Sequence, residues 1–414
     1  MPAPTAMFFN TLNETLCIVL ATGDGKALMP LTARRTAAAL FYAGNYRVID
    51  FALTNCMHSG LRRITVFTQF NSLSLQNHLR DGWSIFNTDL GEFVTAVSPP
   101  INEHLTVYSG QANALHENLY FLDGAVEDTV MVISGEQIYR MDYAAVLQFH
   151  IEHEADVTIA TIDRDTTGET SFSAHLRLAG DAVAAIEPRS PPAPLPPDED
   201  VLAPMEVYVF KRQLLIEVLA EAGRAGTDRL DIIDFLGERL LGRKRLLGYR
   251  FGGEYGRVSQ DRYWRPLDGL DHYYETNMDL LKLEPPLDLY QVDWPIRTYQ
   301  MQQPPARTVP GRSDNEGICV NSIVSGGTVI AGGGVSRSVL GNRVRIHDGA
   351  TVEDSILFQG VIVGEGARVR RAICDRGVRI PDYEEIGLDR KRDAERFHVT
   401  PAGVVVIPSN HRFE

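Results

Sequence analysis

The stretch "ETLCIVLATGDGKALMPLT", Glu14–Thr32, decides the fold class. Residues 17–21 are an apolar run that predicts a buried strand, and Gly23 and Gly25 predict a tight turn after it. "RRITVFTQF" and "DTVMVISGEQIY" repeat this form, since each apolar run ends in polar residues. Helical stretches such as "SLSLQNHLRDGW" and "YAAVLQFHIEHEA" lie between the strands. The alternation predicts an α/β, Rossmann-like domain with a mostly parallel, mixed sheet.

Ligands of such sheets bind beyond the carboxyl ends of the strands. This rule predicts a crevice around residues 23–26, Gln69 and residues 135–137, which follow three of the predicted strands. The proline-rich stretch "EPRSPPAPLPPDED", residues 187–200, is expected to be an extended surface excursion of the same domain.

The pattern of apolar residues changes from Ser322 onward. Apolar residues recur at intervals of six with glycines between them, as in Val329 and Val335 or Val363 and Val369. A six-residue period with small residues at the corners is typical of a parallel β-helix, in which each coil stacks on the previous one. A set of ordinary antiparallel strands is the alternative interpretation.

Composition excludes several classes of function. The formal net charge is -14, which argues against a nucleic-acid partner, because neutralising phosphates requires a basic face. An anionic ligand must therefore meet a local basic pocket. No apolar run approaches the length of about twenty residues that a membrane span needs, and no secretory signal pattern is evident. We expect a cytoplasmic protein without a membrane partner.

Six stretches together resemble the ADP-glucose pyrophosphorylase (glucose-1-phosphate adenylyltransferase) family: "YRVIDFALTNCMHSGLRRITVFTQFNSLSLQNHLRDGWSIFN", "VISGEQIYRMDYAAVLQFHIEHEADVTIA", "YWRPLDGLDHYYETNMDL", "LDLYQVDWPIRTY", "NSIVSGGTVIAGGGVSRSVL" and "ICDRGVRIPDYEEIGLDRKRDAERF". The resemblance implies a nucleotidyltransferase domain over residues 1–300. It also implies a left-handed β-helix over residues 301–414 that serves oligomerisation and effector binding. The implied protein is an allosteric tetramer that starts glycogen synthesis from ATP and glucose 1-phosphate.

The phosphate-binding loop departs from the family pattern. In the family it reads Gly-Gly-x-Gly-x-Arg-Leu, where backbone amides hold phosphate and the arginine screens the leaving group. Here residues 22–28 read Thr-Gly-Asp-Gly-Lys-Ala-Leu, so Ala27 stands in place of the arginine. Ala37 stands in place of a second phosphate-binding lysine. Lys26 is a candidate replacement for the lost charge, and the alternative is a solvated lysine on a surface turn.

The metal positions depart as well. The family's Gly-Asp-His is Gly135-Glu136-Gln137, and its partner aspartate is Pro266, which binds no metal. Glu136 is a candidate Mg²⁺ ligand, although its longer side chain moves the oxygens by about an ångström and Mg²⁺ demands near-ideal geometry. Asp268 is either a substitute ligand or an ordinary loop aspartate. Mg²⁺ and ATP are needed only if the chain is active, and no cofactor is required otherwise.

Positions around the sugar and the nucleotide also depart from the family pattern, and become less favourable to a phosphate. Glu206 replaces a glycine, Leu230 replaces a lysine, and Arg189 follows a proline where the family has Glu-Lys-Pro. The resemblance leaves a set of nucleotide-binding candidates, which are Gly23, Gly25, Gly110, Gln111 and Gly135.

The effector positions of the family remain basic. The candidates are Arg34, Arg35, Arg47, Arg376 and Arg396. On an acidic chain, a cluster of these arginines forms the local basic pocket that an anionic sugar phosphate requires. The alternative is that they are scattered surface arginines in rim salt bridges. Gln69 occupies a family position that couples effector to active site, but its tryptophan partner is Val107 here.

Three hypotheses follow from these departures. The first is a catalytically impaired homologue that acts as a regulatory or structural subunit in a homo- or hetero-tetramer with an active pyrophosphorylase subunit. The second is an active but rewired sugar-1-phosphate nucleotidyltransferase that uses Lys26, Glu136 and Asp268. The third is a stand-alone sensor of a sugar phosphate or nucleotide.

Overall fold

The computed structural model describes residue 12 and the ranges 15–100, 107–163, 174–188, 201–224, 231–253 and 262–413. Within them the chain forms two compact units, and both are discontinuous in sequence. The first unit is built from Met1–Asp24, Ile49–Pro266 and Val292–Ile296. The second is built from Gly25–Val48, Leu267–Gln291 and Arg297–Glu414. The family-based boundary at residue 300 stays a prediction.

The described strands and helices are numbered in chain order. Strands β1–β13 are Thr15–Ala21, Phe41–Tyr42, Tyr46–Arg47, Arg63–Thr68, Phe93–Val97, Thr129–Ser134, Gln137–Tyr139, Val157–Asp163, Ala174–Ala179, Ala182–Pro188, Val201–Lys211, Leu246–Arg250 and Trp264–Pro266. Strands β14–β29 are Arg307–Val309, Ile318–Val320, Ile323–Val324, Val329–Ala331, Gly334–Ser336, Val339–Leu340, Arg345–Ile346, Thr351–Glu353, Ile356–Leu357, Ile362–Val363, Arg368–Arg370, Ala372–Cys374, Arg379–Ile380, Glu385–Ile386, His398–Val399 and Val405–Ile407. Helices α1–α9 are Ile49–His58, Leu73–Trp83, Gln111–Glu117, Leu119–Asp123, Tyr143–Glu152, Arg212–Arg224, Ile232–Arg239, Leu270–Asp279 and Arg390–Arg396.

The first unit is organised around a mixed sheet with the order β5-β4-β1-β6-β11-β8-β12-β10-β9. Strand β1 lies between β4 and β6 and pairs with both in parallel, while β11 runs antiparallel to β6 and β8. Every residue of β1 is buried, which is why its sequence reads as a continuous apolar run rather than an alternation. The predicted α/β architecture is confirmed.

The second unit contains a three-sided parallel β-helix. Its sheets are β14-β17-β20-β23-β26, β15-β18-β21-β24-β27 and β16-β19-β22-β25-β29-β28. Residues predicted to recur at intervals of six fall on neighbouring sides of one coil, and Val335, Val352 and Val369 stack in the buried interior. The antiparallel alternative is wrong for these coils, since only the β28–β29 pair among the strands of the three sheets runs antiparallel.

One edge of the β-helix has an unusual backbone. Asn321, Arg337, Asp354 and Arg371 have φ angles of 44°, 44°, 46° and 48°, in the left-handed region that non-glycine residues rarely adopt. Each residue lies between a strand of the second sheet and a strand of the third sheet in its own coil. We call these four residues the corner ladder.

Helix α8 is embedded in the second unit. The Tyr42 hydroxyl donates to the carbonyl of Thr276 (2.9 Å), and the Ala43 N–H donates to Oδ1 of Asn277 (2.9 Å). The Tyr274 hydroxyl donates to the carbonyl of Asp354 in the corner ladder (2.6 Å). These bonds fix α8 both to the segment around residue 42 and to the β-helix. No helix in the described part of the chain is long and apolar enough to cross a bilayer.

Candidate active site

Gln69 and residues 23–24 and 135–137, predicted to surround a crevice, lie where three strands of the first unit end. In the parallel register, Ala21 lies opposite Thr68 and Leu20 lies opposite Ser134, so the carboxyl ends of β1, β4 and β6 meet at one edge. The N–H of Gly135 donates to the carbonyl of Leu20 (2.8 Å). A Cβ at Gly135 would lie 3.0 Å from Cγ1 of Val19, so this close approach favours glycine.

Gln69 joins two of the loops at this edge. Its Nε2 donates to the carbonyl of Thr22, and its Oε1 accepts from the N–H of Tyr108 (3.1 Å). One amide side chain therefore uses its donor and its acceptor to position the glycine loop and the segment before α3. The family relay predicted at Gln69 stays a prediction, and the structure shows a positioning role for the same side chain.

A carboxyl group from another loop, that of Glu136, lies against the glycine loop. The N–H of Gly23 donates to Oε1 of Glu136 (3.2 Å). A Cβ at Gly23 would lie 2.3 Å from Oε2 of Glu136, so the carboxyl group lies directly against the loop. A backbone N–H in such a loop is the group that would otherwise bind a phosphate oxygen.

The environment of Glu136 is acidic. Burial raises its pKa to about 7, and the negative charges of Glu206 and Asp24 add to the rise, while the bond from Gly23 opposes it. One pKa unit corresponds to about 1.4 kcal/mol, so the ionised form of Glu136 is disfavoured by a few kcal/mol. The surroundings of Glu136 therefore disfavour negative charge, whereas a site for a triphosphate must favour it.

Glu206 lies in a distorted part of β11. The pairing of β11 with β8 shifts register between Pro204 and Tyr208, and Glu206 has a φ of 54°. Burial raises the pKa of Glu206, and hydrogen bonds from Ser134 and Gln111 oppose the rise. Gln111 Nε2 donates to Oε2 of Glu206 (3.3 Å). A bulged, left-handed position favours glycine, the residue that the resemblance implies here.

The two metal positions implied by the family are neighbours. Strands β7 and β13 pair so that Pro266 lies opposite Gln137, next to Glu136. Trp264 Nε1 donates to Oε1 of Gln137 (2.9 Å), which holds this side chain in a buried contact. The described residues contain no group of three or more His, Cys, Asp or Glu side chains placed to hold a metal ion. With Glu136 turned onto Gly23 and proline opposite, these residues do not fit Mg²⁺.

The nucleotide-binding candidate Gly25 and the catalytic candidates Lys26 and Asp268 lie in the second unit. Gly25 has a φ of 66°, and its carbonyl accepts from the Thr32 hydroxyl (2.6 Å), so the turn here requires glycine. Lys26 is exposed at the start of the short 3-10 turn Lys26–Leu28. Asp268 forms an ion pair with His272, one turn further on. This pair is partly exposed. The hydrogen bond with Asp268 is the main cause that raises the pKa of His272.

The effector candidates also lie in the second unit, and the structure assigns them different contacts. Arg35 is 8% exposed and forms a bidentate ion pair with Asp375 (2.8 and 3.1 Å). Its neighbour Arg34 is exposed, as is Arg376, which follows Asp375. The chain segments of Arg34 and Arg376 are therefore held together.

The other two effector candidates contact aromatic rings. The guanidinium of Arg47 lies 3.7 Å from the centre of the Phe41 ring. Arg396 pairs with Glu384 (2.8 Å) and lies over the rings of Phe397 and Phe413. Cation–π contact and ion pairing hold both side chains in fixed positions.

Sequence reasoning missed two contacts of the described site, and two positions that it singled out cannot be compared with the structure. Asp375 as the partner of Arg35, and Glu136 as the partner of Gly23, have no local signal, since 340 and 113 residues separate the members of each pair. Leu230 and Arg189 lie outside the described residues.

Comparisons with known proteins agree with this arrangement. A nucleotidyl transferase family model matches residues 16–282, and a GlmU-like C-terminal hexapeptide model matches residues 304–407. These matches confirm the predicted fold class, an α/β nucleotidyltransferase domain followed by a left-handed β-helix.

Proteins of known name are similar to the whole chain. A Vibrio cholerae protein named glucose-1-phosphate adenylyltransferase 2 is 43% identical over 97% of this chain and 99% of its own length. A Trichlorobacter lovleyi glucose-1-phosphate adenylyltransferase is 38% identical over 97% of this chain and 99% of its own. The Dechloromonas aromatica protein of the same name is 37% identical over 95% and 90% respectively. The chain belongs to the glucose-1-phosphate adenylyltransferase family.

Proposed function

We propose that this protein is a catalytically impaired member of its family that serves as a regulatory or structural subunit beside an active glucose-1-phosphate adenylyltransferase in ADP-glucose formation for glycogen. The hydrogen bond from the Gly23 N–H to the Glu136 carboxyl group carries the proposal. This bond uses a donor of the glycine loop for an internal acid instead of a substrate phosphate.

The electrostatics of the first unit support the loss of catalysis. Adenylyl transfer to glucose 1-phosphate brings two anions into line and spreads further negative charge in the transition state, so it depends on fixed cations and Mg²⁺. Glu136 and Glu206 instead place partly buried acids at this edge, and burial raises the pKa of both. A phosphate brought beside them would meet repulsion without compensating charge-assisted hydrogen bonds.

The second unit supports a regulatory role. Its β-helix stacks strands in three continuous sheets, and the ion pair of Arg35 with Asp375 keeps Arg34 and Arg376 on neighbouring segments. We propose that the protein assembles as a homo- or hetero-tetramer and that a small anionic effector, such as a sugar phosphate, binds at Arg34, Arg376 and the other basic candidates. In this role the chain needs no cofactor.

The test uses the purified chain and a purified active homologue. The chain alone, with ATP, Mg²⁺ and glucose 1-phosphate, is expected to release no pyrophosphate. Added to the active homologue, it is expected to co-elute with it and to change its rate or its response to fructose 1,6-bisphosphate. Arg376→Gln should alter that response, whereas Arg345→Gln should not, because Arg345 is an exposed arginine on the first sheet of the β-helix.

Two outcomes would overturn the proposal in distinguishable ways. Pyrophosphate release by the chain alone, abolished by Glu136→Ala, would show a rewired enzyme. Binding of a sugar phosphate with no co-elution and unchanged kinetics of the active homologue would show a stand-alone sensor.

A further inference from the structure

We infer that the second unit carries a separate binding pocket for a small organic anion, built between helix α8 and the corner ladder of the β-helix. The cavity has a volume of about 380 Å³. Its lining residues are Tyr274, Met278, Leu281, Lys282, Asn321, Arg337, Asp354 and Arg371. A cavity of this size lies within the range of sites that bind small molecules.

The β-helix supplies the polar wall of the pocket. All four members of the corner ladder line it, and their φ angles of 44–48° place them in the left-handed region. Such a conformation costs roughly 1 kcal/mol or more for a residue such as arginine, and backbone strain of this kind clusters at functional sites. Asn321, Arg337, Asp354 and Arg371 repeat it in four successive coils, where glycine would be the easier residue.

The charges of this wall favour an anion. Arg337 donates through Nε and Nη2 to the two oxygens of Asp354 (2.7 and 2.8 Å). The hydrogen bond from Arg337 lowers the pKa of Asp354, so this carboxylate is ionised at neutral pH. Arg371 donates through Nε to the carbonyl of Ala402 (3.2 Å). This acceptor is neutral, so the bond does not neutralise the positive charge of Arg371. Two guanidinium groups therefore face one carboxylate.

The described contacts leave further donors on both arginines. A guanidinium has five N–H groups in a planar fork that matches carboxylate and phosphate oxygens. Lys282, in the turn after α8, adds a third cation to the lining, although it also pairs with Asp279 at the end of that helix (2.6 Å). An anionic group is thus the ligand feature that this wall recognises.

Helix α8 and the turn that follows it supply the apolar wall. Met278 and Leu281 contribute aliphatic surface, and Tyr274 contributes its ring, with the Arg371 guanidinium 5.3 Å from the ring centre. The bond from the Tyr274 hydroxyl to the Asp354 carbonyl fixes this ring against the ladder. The ligand class is therefore a phosphate or carboxylate attached to a small apolar or aromatic body.

The pocket is independent of the function proposed above. It shares no residue with the first unit or with Arg34, Arg35, Arg47, Arg376 and Arg396. It can be present in an active enzyme and in an impaired one.

The experiment is isothermal titration calorimetry of phenyl phosphate into the full-length protein, with inorganic phosphate and benzyl alcohol as probes that carry only one of the two features. Phenyl phosphate is expected to bind more tightly than inorganic phosphate, and benzyl alcohol is expected to give no measurable heat. Arg371→Gln should weaken phenyl phosphate binding by about tenfold or more, the effect of losing a hydrogen bond to a charged group. Arg371→Lys should restore part of the loss, and Arg345→Gln on another sheet should have no effect.

Met278→Trp is a second variant that removes no charge. It fills the cavity from α8 and should abolish phenyl phosphate binding, even if Arg371→Gln proves too unstable to purify. Absence of heat with phenyl phosphate would overturn the inference. Unchanged binding in Met278→Trp would overturn it as well, by locating the ligand elsewhere.

Discussion

The Gly23 N–H and the Glu136 carboxyl group are 3.2 Å apart, and the carboxyl group occupies the space that a side chain at Gly23 would need. The two residues follow the ends of β1 and β6, so the contact joins the loops after two neighbouring strands of the sheet. A backbone N–H that a phosphate-binding loop would offer to a substrate therefore donates to a carboxyl group of the protein itself.

Gly23→Ala should destabilise the first unit through this contact. A new Cβ would lie 2.3 Å from Oε2 of Glu136, so the carboxyl group must move away from the Gly23 N–H. Because this carboxyl group is the end of a flexible side chain, the cost is that of the lost hydrogen bond, about 0.5–1.5 kcal/mol. We expect calorimetry to show a transition lowered by roughly 1–6 °C. In the Glu136→Ala background, which already lacks this hydrogen bond, Gly23→Ala should cost little. Gly334→Ala is the control, because nothing lies within 4 Å of a Cβ there.

The stability of the chain should fall as pH rises through the range in which Glu136 titrates. Burial raises the pKa of Glu136 from an ordinary 4.5 to about 7, so between these values the folded chain binds more protons than the unfolded chain. The stabilisation is complete below about pH 4.5 and is lost as pH rises through about 7. Glu136→Gln should flatten this dependence in melting curves from pH 5 to pH 8. Parallel curves for the two proteins would contradict the prediction.

Glu206→Gly should stabilise the first unit. Glu206 combines a φ of 54° with a buried carboxyl group whose pKa is raised by that burial. Glycine removes both penalties, and each is on the order of 1 kcal/mol or more. The thermal transition is expected to rise at pH 8, where the carboxyl group is most strongly ionised. Glu206→Gln separates the two causes, because it removes the charge and keeps the backbone strain.

Restoring the family residues should create measurable activity. The changes restore two cations and two metal-binding aspartates and remove one acid; they are Ala27→Arg, Leu230→Lys, Glu136→Asp, Pro266→Asp and Glu206→Gly. Single electrostatic groups in active sites are worth about a hundredfold in rate or more. We expect ADP-glucose formation at least about a hundredfold above the background of the unmodified chain. The same protein without Pro266→Asp is the control, and equal activity without it would contradict the assignment of that position.

Breaking the pair of Arg35 and Asp375 should destabilise the second unit strongly. Both side chains are buried, and removal of one partner leaves a buried charge at a cost of about 3–5 kcal/mol. Arg35→Gln or Asp375→Asn should lower the thermal transition, and the double variant should be closer to the unmodified chain than either single variant. Removing the more exposed pair of Arg337 and Asp354 should cost about 1 kcal/mol or less.

Sequence patterns predicted the elements well where burial is periodic. Strand β1 is buried on both faces and so reads as an unbroken apolar run, and Val335, Val352 and Val369 recur because one residue per side of each coil enters the core. Such local patterns repeat within a few residues, which is why the α/β sheet and the β-helix were predictable.

The site was less predictable because its decisive contacts are not local. A sequence shows that Arg35 is a cation, but its burial with Asp375 depends on how distant segments pack. The carboxyl group of Glu136 likewise depends on a side-chain conformation set by Gly23. The corner ladder did carry a signal, since polar residues recur there at intervals of 16 or 17, at positions 321, 337, 354 and 371.

The pairing of Arg35 with Asp375 also bears on the order of events during synthesis. Arg35 is synthesised 340 residues before its partner. Until Asp375 has left the ribosome, burying the Arg35 guanidinium would leave its charge without a counter-ion. The segment Gly25–Val48 belongs to the second unit and cannot pack until that unit is synthesised. Strands β1 and β4, which lie before and after it in sequence, can pair with each other earlier. Contacts of such long separation slow folding and leave nascent chains open to misassembly. Ribosome-bound chains truncated before residue 375 should therefore leave residues 25–48 sensitive to proteases, and the full chain should protect them.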